Sequence, residues 1–336
     1  GRPGRPAAAW AEAPRAQACS DNLLQAHEAV RIERCARALQ EIVAEELGAD
    51  YILEKFGSAA NGFGTTGSDL DVTFVREACP WEHDAGTVVH ELQRLLPWLE
   101  QHPGFAVVDA VFTASVPILK LRFESCLDVD LAGHNHRALH NTRLLRAYSR
   151  LSPVLPDVAI AIKSWAKEAG VCGAALGNLS SYAFTLMVIY YLQVHPEVCL
   201  PVLPTQAFEH YASGGWEDPQ VQSAVQRWQR PKVSVDDLEI GFFEFYAASS
   251  KFHWGVEVVS VRVGVKNECG WAGFAQLPYR HVGRLHIEDP LQASRNLQCV
   301  LKADGEIALF AAIQERWRPE AEARAARLAA SCEAAE

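Results

Sequence analysis

Apolar residues recur three and four positions apart across residues 26–47, at Ile32, Cys35, Leu39, Ile42, Val43 and Leu47. That spacing gathers them on one face of a helix. Shorter runs rich in Val, Ile, Leu and Phe follow at 51–56, 71–75, 105–112, 116–123 and 127–131 and predict strands, while 88–99 between them returns to helical spacing. Beyond about residue 141 the period turns helical, with apolar stripes over 142–151, 158–169 and 181–194. A Pro-punctuated passage at 195–204 and the pair Gly214-Gly215 read as loops. They lead to a helix over 238–249, a strand-like run over 256–265 and a closing helix over 307–330. No internal repeat is visible. The pattern predicts an α+β chain: a flexible leader (1–20), a helix (21–48), a small mixed-sheet unit (49–140) and a mainly helical unit (141–330).

One stretch breaks the plain alternation of core and surface. In "EKFGSAANGFGTTGSDLDVTFV", residues 54–75, a Gly-Ser pair ends one strand and a Gly/Thr-rich loop leads to Asp69 and Asp71 at the start of the next. Side chains alternate faces along a strand, so Asp69 and Asp71 point one way while Leu70 and Val72 face the core. The same alternation recurs in "CLDVDLAG", where Asp128 and Asp130 share one face, so a neighbouring strand could add a third carboxylate to the first two. Converging carboxylates repel one another and lose hydration unless a cation sits among them. Three of them facing a phosphate suit oxygen-loving Mg²⁺, and two such ions about 4 Å apart clamp an in-line phosphoryl displacement. Gly57 and Ser58 form a tight turn whose N–H groups and hydroxyl can approach phosphate oxygens, and Gly62, Gly64 and Gly67 are expected to keep the loop compliant.

Composition narrows the setting. The 336 residues are 49% hydrophobic and 21% charged, ordinary for a globular chain with room for two cores. A formal net charge of −10 excludes a broad basic surface, so any nucleic acid is gripped locally or delivered by a partner. Nine scattered cysteines without a C-x-x-C pair suggest neither a disulfide framework nor a zinc knuckle, and fit a reducing compartment. The longest apolar run, 182–194, is too short and too rich in Tyr and Gln to span a bilayer, so no membrane partner is expected. The first residues are rich in Ala, Arg and Pro and begin without Met. They read either as the remainder of a leader pointing to the mitochondrion or as a bland tail, with the cytoplasm as the alternative.

"FGS" followed by "GSDLDV" resembles the signature of the DNA polymerase beta-like nucleotidyltransferase superfamily. "AIKSWAKEAGVCGAALGNLSSYAFTLMVIYYLQ" and "HIEDPLQASRN" resemble the helical core and the PAP-associated segment of non-canonical poly(A) polymerases and terminal uridylyltransferases. The resemblance runs from about residue 26 to residue 309 and is strongest toward the minimal trypanosomatid uridylyltransferases, including the mitochondrial editosome-associated type. It implies a two-domain nucleotidyltransferase with its active-site cleft between a mixed-sheet catalytic domain and a helical PAP-associated domain, and a helix near the amino terminus packed on the carboxy-terminal domain. It also implies template-independent addition of UMP from UTP to the 3′-hydroxyl of single-stranded RNA, with Mg²⁺ as cofactor, Mn²⁺ as a substitute and an RNA-editing or processing complex as partner. The alternatives are a poly(A) polymerase using ATP and an inactive scaffold of such a complex.

Residue by residue, the resemblance makes Asp69 and Asp71 ligands of both ions and Asp130 the ligand of the catalytic ion and the base for the 3′-hydroxyl. Ser58 falls on the family's phosphate serine. Lys163 and Lys167 lie one helical turn apart, which by itself describes a surface pair as well as a triphosphate clamp. The resemblance selects the clamp. "GNLSSYAF" puts Ser180 or Ser181 at a helix start, where a plain N-cap and an anion site both fit. The resemblance gives Ser181 to phosphate and Tyr182 to stacking on the base, where core packing would otherwise be the better reading of Tyr182. Asn141 and Thr142, otherwise a turn before a helix, are implied to read the ribose 2′-hydroxyl. Asp289 matches the base-reading aspartate; Gln292 and Arg295 stand where relatives carry Glu and His. His134, His136 and His140 lack a fourth zinc ligand and read as polar loop surface.

Overall fold

The structure, a computed structural model, describes residues 26–76, 84–209, 215–229, 232–276 and 284–333. The expected leader and Gly214 of the Gly-Gly turn lie outside them. Helix α1 (Ala26–Glu46) buries Ile32, Cys35, Leu39, Ile42 and Val43. Strand β1 (Tyr51–Phe56), the one-turn helix α2 (Ser58–Asn61), strand β2 (Leu70–Arg76), helix α3 (Ala85–Gln101) and strands β3 (Phe105–Val111), β4 (Ile118–Phe123) and β5 (Leu127–Gly133) follow. The strands form one mixed sheet in the order β1-β2-β5-β4-β3. Only β2 and β5 run parallel, and α3, β3 and β4 make the crossover that a parallel pair requires.

Alternation along β2 and β5 sends Leu70, Val72, Phe74, Val129 and Leu131 into a core shared with Val88, Leu92, Leu95 and Leu99 of α3 and with the apolar stripe of α1. Helix α1 therefore packs on the sheet. The expectation that it would pack on the carboxy-terminal domain is corrected, because its stripe and that of α3 bury the same sheet.

The second half contains α4 (His136–Leu151), α5 (Val154–Glu168), α6 (Ser181–Val194), α7 (Pro219–Arg227) and α8 (Val235–Ala247). It ends with strands β6 (Val258–Val259), β7 (His286–Asp289) and β8 (Gln292–Asn296) and the long helix α9 (Ala303–Glu333). Helix α6 is buried almost all round, as a run hydrophobic on every side must be. The strand expected over 256–265 shrinks to the two residues of β6. Ser260 turns the chain there, its Oγ accepting the Val263 N–H at 3.1 Å before Gly264 at φ +65.

The boundary placed between residues 140 and 141 falls inside α4, which Asn135 caps by accepting the Ala138 N–H at 3.3 Å. Leu144, Leu145, Ala147 and Tyr148 of this helix belong to the helical core. Among the described residues no helix is long and apolar enough to cross a membrane.

Candidate active site

The parallel register sets Asp71 of β2 directly opposite Asp130 of β5. Asp69 lies just before β2 rather than in it, and is exposed. Burial, then Asp130 and Asp69, push the Asp71 carboxyl up to about 7, and burial, Asp130 and Asp128 also raise Asp69. The three carboxylates are thus close enough to disfavour one another's charge. On the adjacent antiparallel strand, Lys120 stands opposite Asp130, its Nζ 3.1 and 3.2 Å from the two carboxylate oxygens. Sequence reading missed Lys120. The alternation of "ILKLRF" puts it opposite in face to Leu119 and Leu121, but only the strand register says which aspartate it meets.

Among the described residues no three His, Cys, Asp or Glu side chains form a ready-made metal cage. The donor set nevertheless fits a divalent cation: it is all carboxylate oxygen, and the mutual repulsion at Asp71 and Asp69 is what a cation would relieve.

Gly57 sits at φ +66 immediately before α2, and a Cβ on it would come 2.2 Å from Asp71 Oδ2, so only glycine lets the turn lie against that carboxylate. Its N–H donates to Thr142 Oγ1 at 3.0 Å and is not available to a phosphate in this arrangement. Ser58 opens α2 beside it. The loop beyond is packed rather than compliant. A Cβ on Gly62 would lie 2.4 Å from Ser149 Oγ and one on Gly64 2.8 Å from the Ser58 carbonyl oxygen; only Gly67 has open space. Phe63, between them, is fully buried in the helical core. Its carbonyl accepts a hydrogen bond from the Lys163 ammonium.

Lys163 is 3% exposed, and burial, with Lys167 beside it, pulls its pKa down to about 8. Lys167 is exposed, and its charge reaches Asp69. Ser180 is the N-cap of α6, accepting the Ala183 N–H at 3.2 Å, so Ser181 is the first helical residue and its hydroxyl is not the cap. Tyr182 donates from Oη to Asn141 Oδ1 at 2.8 Å, joining α6 to α4. Asp289, at the end of β7, is 2% exposed; burial raises its pKa, and Arg295 Nη1 lies 3.6 Å from its Oδ2. Gln292 accepts from Arg137 Nη1 at 3.2 Å, tying β8 to the start of α4.

The predicted residues divide between the two halves: Gly57, Ser58, Asp69, Asp71 and Asp130 belong to the sheet half, and Lys163, Lys167, Ser181, Tyr182 and Asp289 to the helical half. Asn141 and Thr142 lie on the helix between. The histidines depart from expectation. His134 and His136 are buried, and His136 and His140 lie in α4 rather than a loop. His134 Nε2 meets Glu91 Oε2 at 3.1 Å, and Glu91 Oε1 accepts the Tyr51 hydroxyl at 2.6 Å. His134 thus ties the end of β5 to α3 and, through Glu91, to β1.

A family profile described as "Poly(A) RNA polymerase, mitochondrial-like, central palm domain" matches residues 16–150. Terminal uridylyltransferase 7 of Homo sapiens is 34% identical over 223 residues, 62% of this chain and 15% of that protein. Poly(A) RNA polymerase GLD2 of Mus musculus is 31% identical over 255 residues, 71% of this chain and 50% of that protein. The matched region is thus half or less of these relatives' lengths. Among solved structures, the Cid1 poly(U) polymerase has a TM-score of 0.72 at 22% identity, covering 90% of this chain and 91% of the other. The mtPAP complex with ATPgammaS has a TM-score of 0.74 at 18% identity, covering 89% and 65%. At those identities the likeness is one of fold.

Proposed function

Because the chain belongs to the terminal nucleotidyltransferase family, we propose that it transfers UMP from UTP to the 3′-hydroxyl of single-stranded RNA, without a template, and releases pyrophosphate. The observation that carries the reading is the register pairing of Asp71 with Asp130, with Asp69 beside them. Asp69 and Asp71 would hold two Mg²⁺ ions, or Mn²⁺ in their place, and Asp130 would hold the catalytic one. The ions, when bound, supply neutralisation of the charge that develops on the phosphates.

The chain's own residues do the rest. Asp130 Oδ accepts the proton of the RNA 3′-hydroxyl as the O3′–Pα bond forms and the bond from Pα to the pyrophosphate oxygen breaks. Lys167, with Lys163 released from Phe63, draws the triphosphate toward the helical side. Ser58 and Ser181 donate hydroxyls to phosphate oxygens, Asn141 faces the ribose, Tyr182 stacks on the base and Asp289 reads its edge. We further propose RNA processing as the setting, with a partner supplying affinity that a chain of net charge −10 does not offer broadly.

A second reading keeps the chemistry and changes the donor to ATP. It is favoured by the likeness to poly(A) polymerases alongside uridylyltransferases, and by Arg295, whose guanidinium pairs with Asp289 at the base-reading position.

Extension of a short RNA primer with each of the four ribonucleoside triphosphates and Mg²⁺ separates the readings. UTP incorporation that Asp69→Ala abolishes is the expected result. ATP incorporation moves the assignment to the second reading. No extension with any nucleotide would overturn both for the isolated chain.

A further inference from the structure

We propose that Thr142 is a positioning residue that fixes the Gly57 turn against Asp71. This rests on the nucleotidyl-transfer reading above and assigns Thr142 a different place in it. Thr142 is 7% exposed. Its hydroxyl has one proton, and that proton goes to the Ala138 carbonyl at 2.7 Å within α4. Such a back-bond to the preceding turn is common for a helical threonine and by itself says nothing about function. The second bond is the informative one: Oγ1 accepts the N–H of Gly57, 85 residues away in sequence and on the other side of the site, at 3.0 Å.

The two bonds act together. Donation to Ala138 fixes the hydroxyl rotor and leaves a lone pair aimed at Gly57. Gly57 lies directly against Asp71, where a built Cβ would come 2.2 Å from Oδ2, so the bond from Thr142 holds a turn that packs on the carboxylate itself. The distance between the turn and the carboxylate is therefore set from α4, the helix that also carries Asn141. With its proton on Ala138 and one lone pair on the Gly57 amide, Thr142 could meet a 2′-hydroxyl only through its remaining lone pair, as an acceptor and not as a donor. Asn141, whose amide nitrogen is not used in its bond to Tyr182, keeps one.

The test compares Thr142→Val, which keeps the shape and removes the oxygen, with Thr142→Ser, which keeps the oxygen. Steady-state primer extension is run with the preferred ribonucleotide and with its 2′-deoxy form. Thr142→Val is expected to lower kcat at least tenfold, leave the nucleotide KM and the ribo-to-deoxy ratio within about twofold, and be rescued by Thr142→Ser to within about threefold. A Thr142→Val enzyme with unchanged kcat but a changed KM and ribo-to-deoxy ratio overturns the proposal in favour of ribose reading. An enzyme identical to the parent overturns it as well.

Amide hydrogen exchange at Gly57, followed by NMR, reads the bond even if the chain transfers no nucleotide. The amide should be protected in the parent and in Thr142→Ser, and exchange at least tenfold faster in Thr142→Val. A parent Gly57 amide exchanging at the rate of a free loop sinks the idea whether or not Thr142→Val folds.

Discussion

Lys163 holds a charge where charge is disfavoured: its ammonium is buried, beside Lys167, with the Phe63 carbonyl as its partner. Its folded pKa, about 8, lies below the ordinary 10.5. Between those values the unfolded chain binds the proton that the folded chain has lost, so this residue's contribution makes stability rise with pH across that window and flatten below it. We expect urea unfolding at pH 8 and pH 10 to show the parent gaining roughly 2 kcal/mol on Lys163→Met over that interval. An unchanged difference between the two proteins would show that the lysine is not desolvated. A triphosphate would reverse the penalty by supplying opposite charge. At Gly57 the constraint is steric. Gly57→Ala combines a positive φ with a 2.2 Å overlap on Asp71 Oδ2, and should destabilise by about 1–3 kcal/mol in denaturant titration and abolish primer extension.

At the level of elements, the loop between α2 and β2 is fastened to the helical half by Phe63, which is fully buried there, and by the Lys163 bond to its carbonyl. Phe63→Ala removes a whole core side chain and should lower unfolding free energy by about 3–5 kcal/mol, read by urea denaturation, although the residue lies in a glycine-rich loop. A loss below 1 kcal/mol would mean that the loop is not anchored. Sequence reading called this loop compliant because glycine spacing shows freedom of the backbone and not what packs against it. The strands 51–56 and 71–75 and the helix 181–194 were legible because their apolar residues carry a clean period. Strands β7 and β8 were not, since four and five residues rich in charge, in "HIEDPLQASRN", have no period to read. Alternation found Asp69 and Asp71 and left Asp128 and Asp130 on one face, with the family resemblance choosing Asp130, whereas Lys120, Arg137 and the anchoring of Phe63 depend on register and on contacts between elements distant in sequence.

The whole molecule carries a net charge of −10, yet its proposed substrate is a polyanion. A grip confined to a few phosphates predicts a shallow salt dependence: the logarithm of RNA affinity against the logarithm of salt should slope no more steeply than about −2 by fluorescence anisotropy. A slope near −5 would reveal an extended basic track. The two cores meet through α4. It begins at the Asn135 cap beside the sheet, reaches Gly57 through Thr142 and sends Leu144, Leu145 and Tyr148 into the helical core. That continuity decides where relatives can be recombined. A chimera joined before residue 141 would cut α4 after its first turn and separate Thr142 from the Gly57 turn with which it evolved. A graft joined after Leu151, at Ser152 and Pro153, inherits the helix intact, so helical halves can be exchanged there while the carboxylates, Gly57 and Thr142 travel as one cassette, with the Phe63 and Lys163 contacts as the seam an incoming half must match.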